Sequence, residues 1–208
     1  MGYRIIIAGI GPGNPDYMVP AARIAIEKAK ILVGGSRALG QFAKENQETM
    51  AIKADIGAVM DFIKEKIATD DVVVMVSGDP GYYSLLDAVR RNFSEDVIEV
   101  IPGISSMQLA FSRLALPWHD AELLSFHGRE PESEKLIYRE GRILGFLTDT
   151  KNNSRTVPEK LMQAGWPKEA KLAICARLSY DDEEIVRTTL EKYCEVKEYS
   201  NCVLVVTD

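Results

Sequence analysis

The chain has 208 residues, of which 46% are hydrophobic and 27% are charged, as is typical of a soluble globular protein. This length allows either one large domain or two small ones. The formal net charge of −6 argues against a general surface for nucleic acids or anionic membranes, although it allows a local basic pocket for an acidic small molecule.

Cysteine and histidine usage predicts neither a disulfide framework nor a metal site. The three cysteines are odd in number and form no CxxC pair. Neither His119 nor His127 has Cys or His neighbours at the spacing of metal ligands. The N-terminus lacks a cleavable signal pattern, and no apolar run approaches the ~20 residues that a membrane-spanning helix needs. We therefore expect a cytoplasmic protein that does not bind membranes.

The first half of the chain alternates short apolar runs with amphipathic stretches. Strands are predicted at residues 4–8, 31–33, 72–76 and 97–101. Helices are predicted at residues 21–30, 36–45, 56–68 and 85–91, with Ser36 as a helix cap. This alternation predicts a mainly parallel sheet with helices on both faces.

The alternation breaks at Pro117-Trp118, which we interpret as the joint between two domains, residues 1–116 and 117–208. Beyond the joint, strands are predicted at 122–126, 143–147, 171–176 and 202–206, an extended stretch at 184–190, and helices near 132–139 and 157–164. The excess of consecutive strands favours a mixed sheet. The predicted fold is therefore two small α/β domains, the first with a mainly parallel sheet and the second with a mixed one.

A glycine-rich loop, residues 9–15 (GIGPGNP), follows the first strand, where a nucleotide-binding loop would lie. The dinucleotide fingerprint requires a third glycine where Asn14 stands, and no Walker lysine follows. Pro12, Pro15 and Pro20 delay the next helix, so its N-terminus cannot meet a pyrophosphate. The loop is either an open turn that lets the backbone approach a ligand or a tight turn without one.

Four segments together resemble the motifs of the tetrapyrrole methylases, a class of S-adenosylmethionine-dependent methyltransferases. They are residues 9–16 (GIGPGNPD), 77–84 (SGDPGYYS), 101–108 (IPGISSMQ) and 145–150 (GFLTDT). Each is weak alone, but their order and spacing match across nearly the whole chain. Residues 111–121 (FSRLALPWHDA), 125–129 (SFHGR) and 147–149 (LTD) with Asn153 resemble the branch of the family that methylates C5 of cobalt-precorrin-7 in cobalamin biosynthesis.

The resemblance implies a C-methyltransferase whose S-adenosylmethionine lies in a cleft between the two domains. It implies cofactor contacts at Pro12, Ser77, Gly78, Asp79, Tyr82, Ser105, Ser106, Leu147 and Ala176. Several of these residues also have an ordinary structural interpretation. Asp79 is typical of a turn before proline, and Ser105 is typical of a helix cap. Leu147 and Ala176 could simply end strands.

The substrate class implied by the resemblance carries many carboxylates, so an acidic chain must concentrate cations where the substrate binds. The candidates are Arg113, Arg129, Lys151 and Arg155, although each is also interpretable as an ordinary solvated charge. The meso carbon of the macrocycle is itself the nucleophile, so no side-chain nucleophile is required. His127 is the candidate catalytic residue, as a proton acceptor or a donor to a carboxylate.

The resemblance also implies a homodimer that works beside a separate C15-methyltransferase and decarboxylase. The alternatives are another precorrin methylase, a diphthine-synthesis or ribosomal RNA methyltransferase of the same fold, and a non-catalytic nucleotide-binding module. RNA binding would require a basic face with aromatic side chains. The negative charge and the lack of a Lys/Arg cluster disfavour it, so we expect no nucleic-acid partner.

Overall fold

A computed structural model describes residues 2–208 and divides the chain into two compact units, one ending at Ser105 and one beginning at Ser106. The helix that opens the second unit packs on the second sheet. A Cβ added at Gly145 in that sheet would lie 2.7 Å from Met107 Sδ and 3.1 Å from Phe111 Cε2 of the helix. The boundary therefore lies before this helix, whereas the predicted domain boundary at 116/117 lies after it.

The first unit is built on five parallel strands. They are β1 (Ile5–Gly9), β2 (Ile31–Gly34), β3 (Glu48–Ala51), β4 (Val72–Val76) and β5 (Ile98–Ile101). Its helices are α1 (Pro20–Lys28), α2 (Ser36–Phe42), α3 (Ile56–Lys66) and α4 (Leu86–Asn92). The strand order is β3-β2-β4-β1-β5, and every pairing is parallel. The predicted parallel sheet is confirmed.

Burial on both faces explains why the central strands read as continuous apolar runs. In β4, Val72 and Val74 pack in one core cluster and Val73 and Met75 in another, on the opposite face. The edge strand β3 was not predicted, because its sequence ETMA has no apolar run and is half exposed.

The predicted cap of α2 is wrong, whereas α3 begins at Ile56 as expected. Ser36 is the first residue of α2 rather than its cap, and Gly35 occupies the cap position with no side-chain hydrogen bond. Asp55 caps α3, where its carboxylate accepts a hydrogen bond from the backbone N–H of Ala58 at 3.0 Å.

The second unit is built on a mixed sheet. Its strands are β6 (Ala121–Ser125), β7 (Ile143–Leu147), β8 (Lys171–Ala176), β9 (Glu184–Thr189) and β10 (Val203–Thr207), and its helices are α5 (Ser106–Leu114) and α6 (Thr156–Gln163). The order is β6-β7-β10-β8-β9; β6 and β7 are parallel and the other pairings are antiparallel. The predicted mixed sheet is confirmed.

The helix predicted near residues 132–139 is wrong, since only a short 3₁₀ turn, Ser133–Leu136, forms there. Tertiary contacts take up the backbone groups that a helix would need. Trp166 Nε1 donates to the carbonyl oxygen of Leu136 at 2.8 Å, and Tyr138 N donates to the carbonyl oxygen of Ala164 at 3.2 Å. The apolar side chains Leu136 and Tyr138 pack against the core of this unit, while Ile137 is exposed.

Across residues 2–208, no helix is both long and apolar enough to cross a membrane. In the same part of the chain, no group of three or more His, Cys, Asp or Glu side chains is placed to hold a metal ion.

Candidate functional site

Three loops meet at the carboxyl edge of the parallel sheet, after β1, β4 and β5. Gly11 and Gly78 form an isolated antiparallel bridge, in which Gly78 N donates to Gly11 O at 2.8 Å and Gly11 N donates to Gly78 O at 3.3 Å. Both glycines have positive φ angles, +79° and +71°, which L side chains rarely adopt. The glycine motifs after β1 and β4 are therefore joined backbone to backbone.

The third loop packs against this bridge through Gly103. A Cβ at Gly103 would lie 2.3 Å from the carbonyl oxygen of Gly78, and a Cβ at Gly9 would lie 2.7 Å from Gly103 N. No side chain fits at either position without displacing backbone. Three motif segments that are far apart in sequence thus converge at one point, which we call the glycine junction (Gly9, Gly11, Gly78 and Gly103).

Asp79 connects two of the loops at the junction, those after β4 and β5. Its Oδ1 accepts a hydrogen bond from Gly81 N at 2.8 Å, and its Oδ2 accepts one from Gly103 N at 3.0 Å. The first contact is the turn predicted before Pro80, and that interpretation is confirmed. The second contact, across to the loop after β5, was not foreseen. A carboxylate has about four acceptor positions, and the hydrogen bonds seen within residues 2–208 occupy two of them. A cofactor contact by Asp79 stays a prediction.

Tyr82, in the same motif as Asp79 (residues 77–84), has a buried hydroxyl group without a hydrogen-bond partner among the described residues. Burial raises the pKa of this hydroxyl well above its ordinary value of 10.0, so it stays a neutral donor. The ring stacks edge-on against Tyr83, 4.8 Å between centroids, and Tyr83 has a positive φ of 53°. An orphaned donor beside a strained turn fits a ligand that supplies an acceptor.

The remaining predicted cofactor residues of the first motifs lie on the same loops. Pro12 is half-buried and follows Gly11, and Ser77 is exposed directly after β4. Ser105 is buried, with 6% of its surface exposed, and Ser106 is the first residue of α5. All four residues are close in sequence to a glycine of the junction. Their contacts with a cofactor stay predictions.

The carboxyl ends of β6, β7 and β8 share one edge of the second sheet, because β10 runs antiparallel between β7 and β8. Leu147 ends β7, and its carbonyl oxygen accepts a hydrogen bond from Phe126 N at 2.8 Å. Ala176 ends β8, is buried and pairs with Glu184. The strand-end interpretation of both residues is confirmed, and their contacts with the cofactor stay predictions.

Asp149 connects two loops at this edge, a role that its place in the fourth motif did not predict. Its Oδ1 accepts from Lys151 N at 2.9 Å and Asn152 N at 2.7 Å, and its Oδ2 accepts from Gly128 N at 3.1 Å. These backbone donors hold the pKa of the Asp149 carboxyl below its ordinary value. The carboxylate thereby joins the loop after β7 to the loop after β6. The signal for this role was an Asp two residues after the end of a strand, followed by polar turn residues.

His127 lies on the loop that Asp149 fixes. Its Nδ1 is 3.3 Å from the carbonyl oxygen of Thr148, and its backbone N–H donates to Ser125 Oγ at 3.1 Å. Because a carbonyl only accepts, this contact requires the proton on Nδ1, and in that neutral tautomer Nε2 is an acceptor on an exposed ring.

The four predicted substrate cations divide into two groups. Arg129 and Lys151 are exposed on the two loops that Asp149 joins, beside His127. Arg113 Nε is 2.6 Å from Glu183 Oε1, within an ion pair. Arg155 donates to the carbonyl oxygens of Tyr193 at 3.0 Å and Val196 at 2.6 Å. Such bonds hold a loop, so Arg155 has a clear structural role, and its contact with substrate stays a prediction.

A comparison with known families covers most of the chain. Residues 4–194 match the family described as Tetrapyrrole (Corrin/Porphyrin) Methylases. The chain belongs to the tetrapyrrole methylases. The family and the class of enzyme predicted from the four motifs are therefore confirmed.

Individual methylases match over most of their length. A Methanocaldococcus jannaschii protein named "Probable cobalt-precorrin-7 C(5)-methyltransferase" is 31% identical over 193 residues, 90% of each chain. The Cobalt-precorrin-7 C(5)-methyltransferase of Salmonella typhimurium is 32% identical over 161 residues, 77% of this chain and 79% of the relative. The structure of uroporphyrin-III C-methyltransferase from Thermus thermophilus, complexed with S-adenosylhomocysteine, superposes with a TM-score of 0.73 at 19% identity, covering 98% and 92% of the two chains. That structural likeness confirms the fold.

Proposed function

We propose that this methylase transfers a methyl group from S-adenosylmethionine to C5 of cobalt-precorrin-7. The observation that carries the proposal is the relative that matches 90% of both chains and bears the name of that activity. The Salmonella typhimurium relative bears the same activity at similar identity. Two independent relatives of one specificity favour the C5 reaction over the other methylations of the family.

The residues at the glycine junction fit a bound S-adenosylmethionine. The glycines let the three loops pack backbone against backbone, which holds the loops that carry Pro12, Ser77 and Asp79 in place. The neutral hydroxyl of Tyr82 would donate to a cofactor oxygen or nitrogen, which would satisfy the orphaned group. Asp79 holds the loops after β4 and β5 in place, and its carboxylate suits the ammonium group of the cofactor.

The cofactor supplies an electrophilic methyl group on a sulfonium. The tasks of the protein are to align donor and acceptor carbon about 3–3.5 Å apart and to exclude water. Arg129 and Lys151 would bind carboxylates of the macrocycle, and Asp149 fixes the loops that carry them. The Nε2 atom of His127 would accept the proton that leaves C5 after methylation, since Nδ1 is held as a donor by Thr148.

The assembly and location of the protein are further parts of this proposal. We expect a homodimer, since two-fold homodimers are the commonest closed assembly. We expect a separate C15-methyltransferase and decarboxylase to act on the same intermediate. The free thiols Cys175, Cys194 and Cys202 fit a reducing compartment, so we propose the cytoplasm. Light scattering at micromolar concentration tests the dimer, and cell fractionation tests the compartment.

A substrate panel tests the proposal. The protein is incubated with methyl-labelled S-adenosylmethionine and, separately, with cobalt-precorrin-7, cobalt-precorrin-4, ribosomal RNA and the elongation factor that carries diphthine precursors. We expect labelled product only with cobalt-precorrin-7. Label on RNA or protein, or on cobalt-precorrin-4 alone, would contradict the proposal.

A further inference from the structure

A cavity of about 590 Å³ lies within the second unit, and one of its lining residues, Arg187, donates to the backbone carbonyl oxygen of Arg113 at 3.5 Å. The cavity opens on the sheet face opposite α6. Ala173 of β8 and Val205 of β10, which pair in register, form its floor. Leu114 at the end of α5 and Leu116 after it form an apolar wall. The volume lies inside the range of about 300–1,000 Å³ typical of small-molecule sites.

The cavity lies at the opposite end of the sheet from the predicted cofactor contacts. Lys171, at its rim, is the first residue of β8 and pairs with Thr207 of β10 and Thr189 of β9. Ala176 is the last residue of β8. Five strand steps separate Lys171 from Ala176, about 17 Å along β8. The cavity is therefore distinct from the edge that holds Leu147 and Asp149.

Three cations surround the cavity in a chain that is negative overall. They are Lys171, Arg187 and Lys192, and all three are exposed. Within residues 2–208, neither lysine has an ion pair. Asp208 acts electrostatically on Lys171, but its carboxylate already accepts hydrogen bonds from Gly141 N and the Tyr138 hydroxyl.

Two threonines on the cavity face of the sheet complete the polar rim. Thr189 of β9 and Thr207 of β10 both pair with Lys171 and line the cavity. In the described chain, the buried Oγ1 of Thr189 has no hydrogen-bond partner. A buried polar atom without a partner is uncommon in native structures and often marks a place where a ligand or ion binds.

We propose that this cavity is a second binding site, for an organic anion with an apolar ring body and two acidic groups. The apolar floor and wall would cover the rings, and the separated cations and hydroxyls would bind the acids. A second copy of the chain fits less well, because a two-fold contact of this surface with itself would bring like charges together. The site is independent of the proposed methyl transfer.

The test uses the full chain, with naphthalene-2,6-dicarboxylate as the probe and the neutral naphthalene-2,6-dimethanol as its uncharged counterpart. Binding is followed by amide chemical shifts in nuclear magnetic resonance, with saturating S-adenosylhomocysteine present. The variant K171Q/K192Q removes two rim charges. The variant K28Q/K64Q makes the same charge change at exposed positions of α1 and α3 and serves as the control.

We expect the dicarboxylate to shift amides of β8, β9 and β10 around Lys171, Arg187 and Thr207, and the dimethanol to bind more weakly. The double rim variant should weaken binding about three- to thirtyfold, and the control variant less than about twofold. Equal affinity in both variants, shifts confined to other residues, or no binding of the dicarboxylate in the presence of saturating S-adenosylhomocysteine would overturn the proposal. A rim variant that only converts a dimer to a monomer would instead show this surface to be a subunit contact, and would also overturn it.

Discussion

Asp79 and Gly103 are joined by a 3.0 Å hydrogen bond from the backbone N–H of Gly103 to Asp79 Oδ2. This single contact links two motifs that lie on different strands of the parallel sheet. The same carboxylate also accepts from Gly81 N, so one side chain sets the shape of both loops. The geometry of the candidate cofactor site therefore depends on the Asp79 carboxylate, which accepts two hydrogen bonds within the protein.

Replacing Asp79 with Ala should lower both stability and cofactor affinity. The half-buried N–H of Gly103 and the exposed N–H of Gly81 would lose their acceptor, at a cost of about 1–3 kcal/mol in the free energy of unfolding. Urea unfolding measures the first effect, and calorimetry with S-adenosylhomocysteine measures the second. A folded variant with wild-type stability would show that the observed bonds do not hold the loops.

The variant Gly103→Ala tests the contact between the loops. The added Cβ would lie 2.3 Å from the Gly78 carbonyl oxygen, so backbone must move. We expect a loss of about 1–3 kcal/mol or more in the free energy of unfolding. Gly40→Ala is the matched control: Gly40 is exposed within α2, nothing lies within 4 Å of an added Cβ, and alanine should stabilise that helix by about 0.5–1 kcal/mol. Effects of the same sign in both variants would contradict this account.

The orphaned hydroxyl of Tyr82 predicts opposite effects on stability and binding. In Tyr82→Phe the unsatisfied buried group is removed, so the unfolding free energy should stay equal or rise. Affinity for S-adenosylhomocysteine should fall by about 0.5–1.5 kcal/mol, the net value of one hydrogen bond. Tyr3→Phe, at a side chain that is 46% exposed, is the control. Unchanged affinity in Tyr82→Phe would remove this residue from the cofactor site.

Much of this organisation could be predicted from sequence, and the exceptions have physical reasons. Apolar runs and their alternation with amphipathic stretches predicted both sheets, because strands buried on two faces are continuous in hydrophobicity. The roles of Asp149 and Asp79 could not be predicted in full. Their partners are backbone N–H groups of other loops, such as Gly128, and backbone groups leave no mark on a sequence pattern. For the same reason the sequence did not predict that Arg155, a candidate for substrate binding, donates to two backbone carbonyl oxygens.

The Asp149 carboxylate should make stability depend on acid pH. Its pKa in the folded protein lies below the ordinary value of 3.8, so the charged form stabilises the fold above that pH. This contribution is lost as the pH falls through the folded-state pKa. Asp149→Asn should therefore lower the urea midpoint at about pH 7, with a difference from wild type that narrows towards about pH 3. Asp181→Asn, at an exposed carboxylate, is the control. A difference that does not change with pH would contradict the prediction.

Neutralising Arg129 and Lys151 together should affect substrate binding more than turnover. The contacts exist before and during methyl transfer, so the Michaelis constant for the tetrapyrrole should rise about two- to twentyfold with little change in kcat. The wild-type constant should also rise with salt, because exposed charge pairs are screened. The K28Q/K64Q variant provides the charge-matched control. A wild-type Michaelis constant in the R129Q/K151Q variant would place the substrate elsewhere.

The most direct test of the central claim is the position of the transferred methyl group. Cobalt-precorrin-7 is incubated with the protein and S-adenosylmethionine labelled with carbon-13 in its methyl group, and the product is examined by carbon-13 nuclear magnetic resonance. The account predicts one new labelled methyl group, bonded to C5. No transfer, or a label bonded to another ring carbon such as C11, C15 or C17, would contradict it.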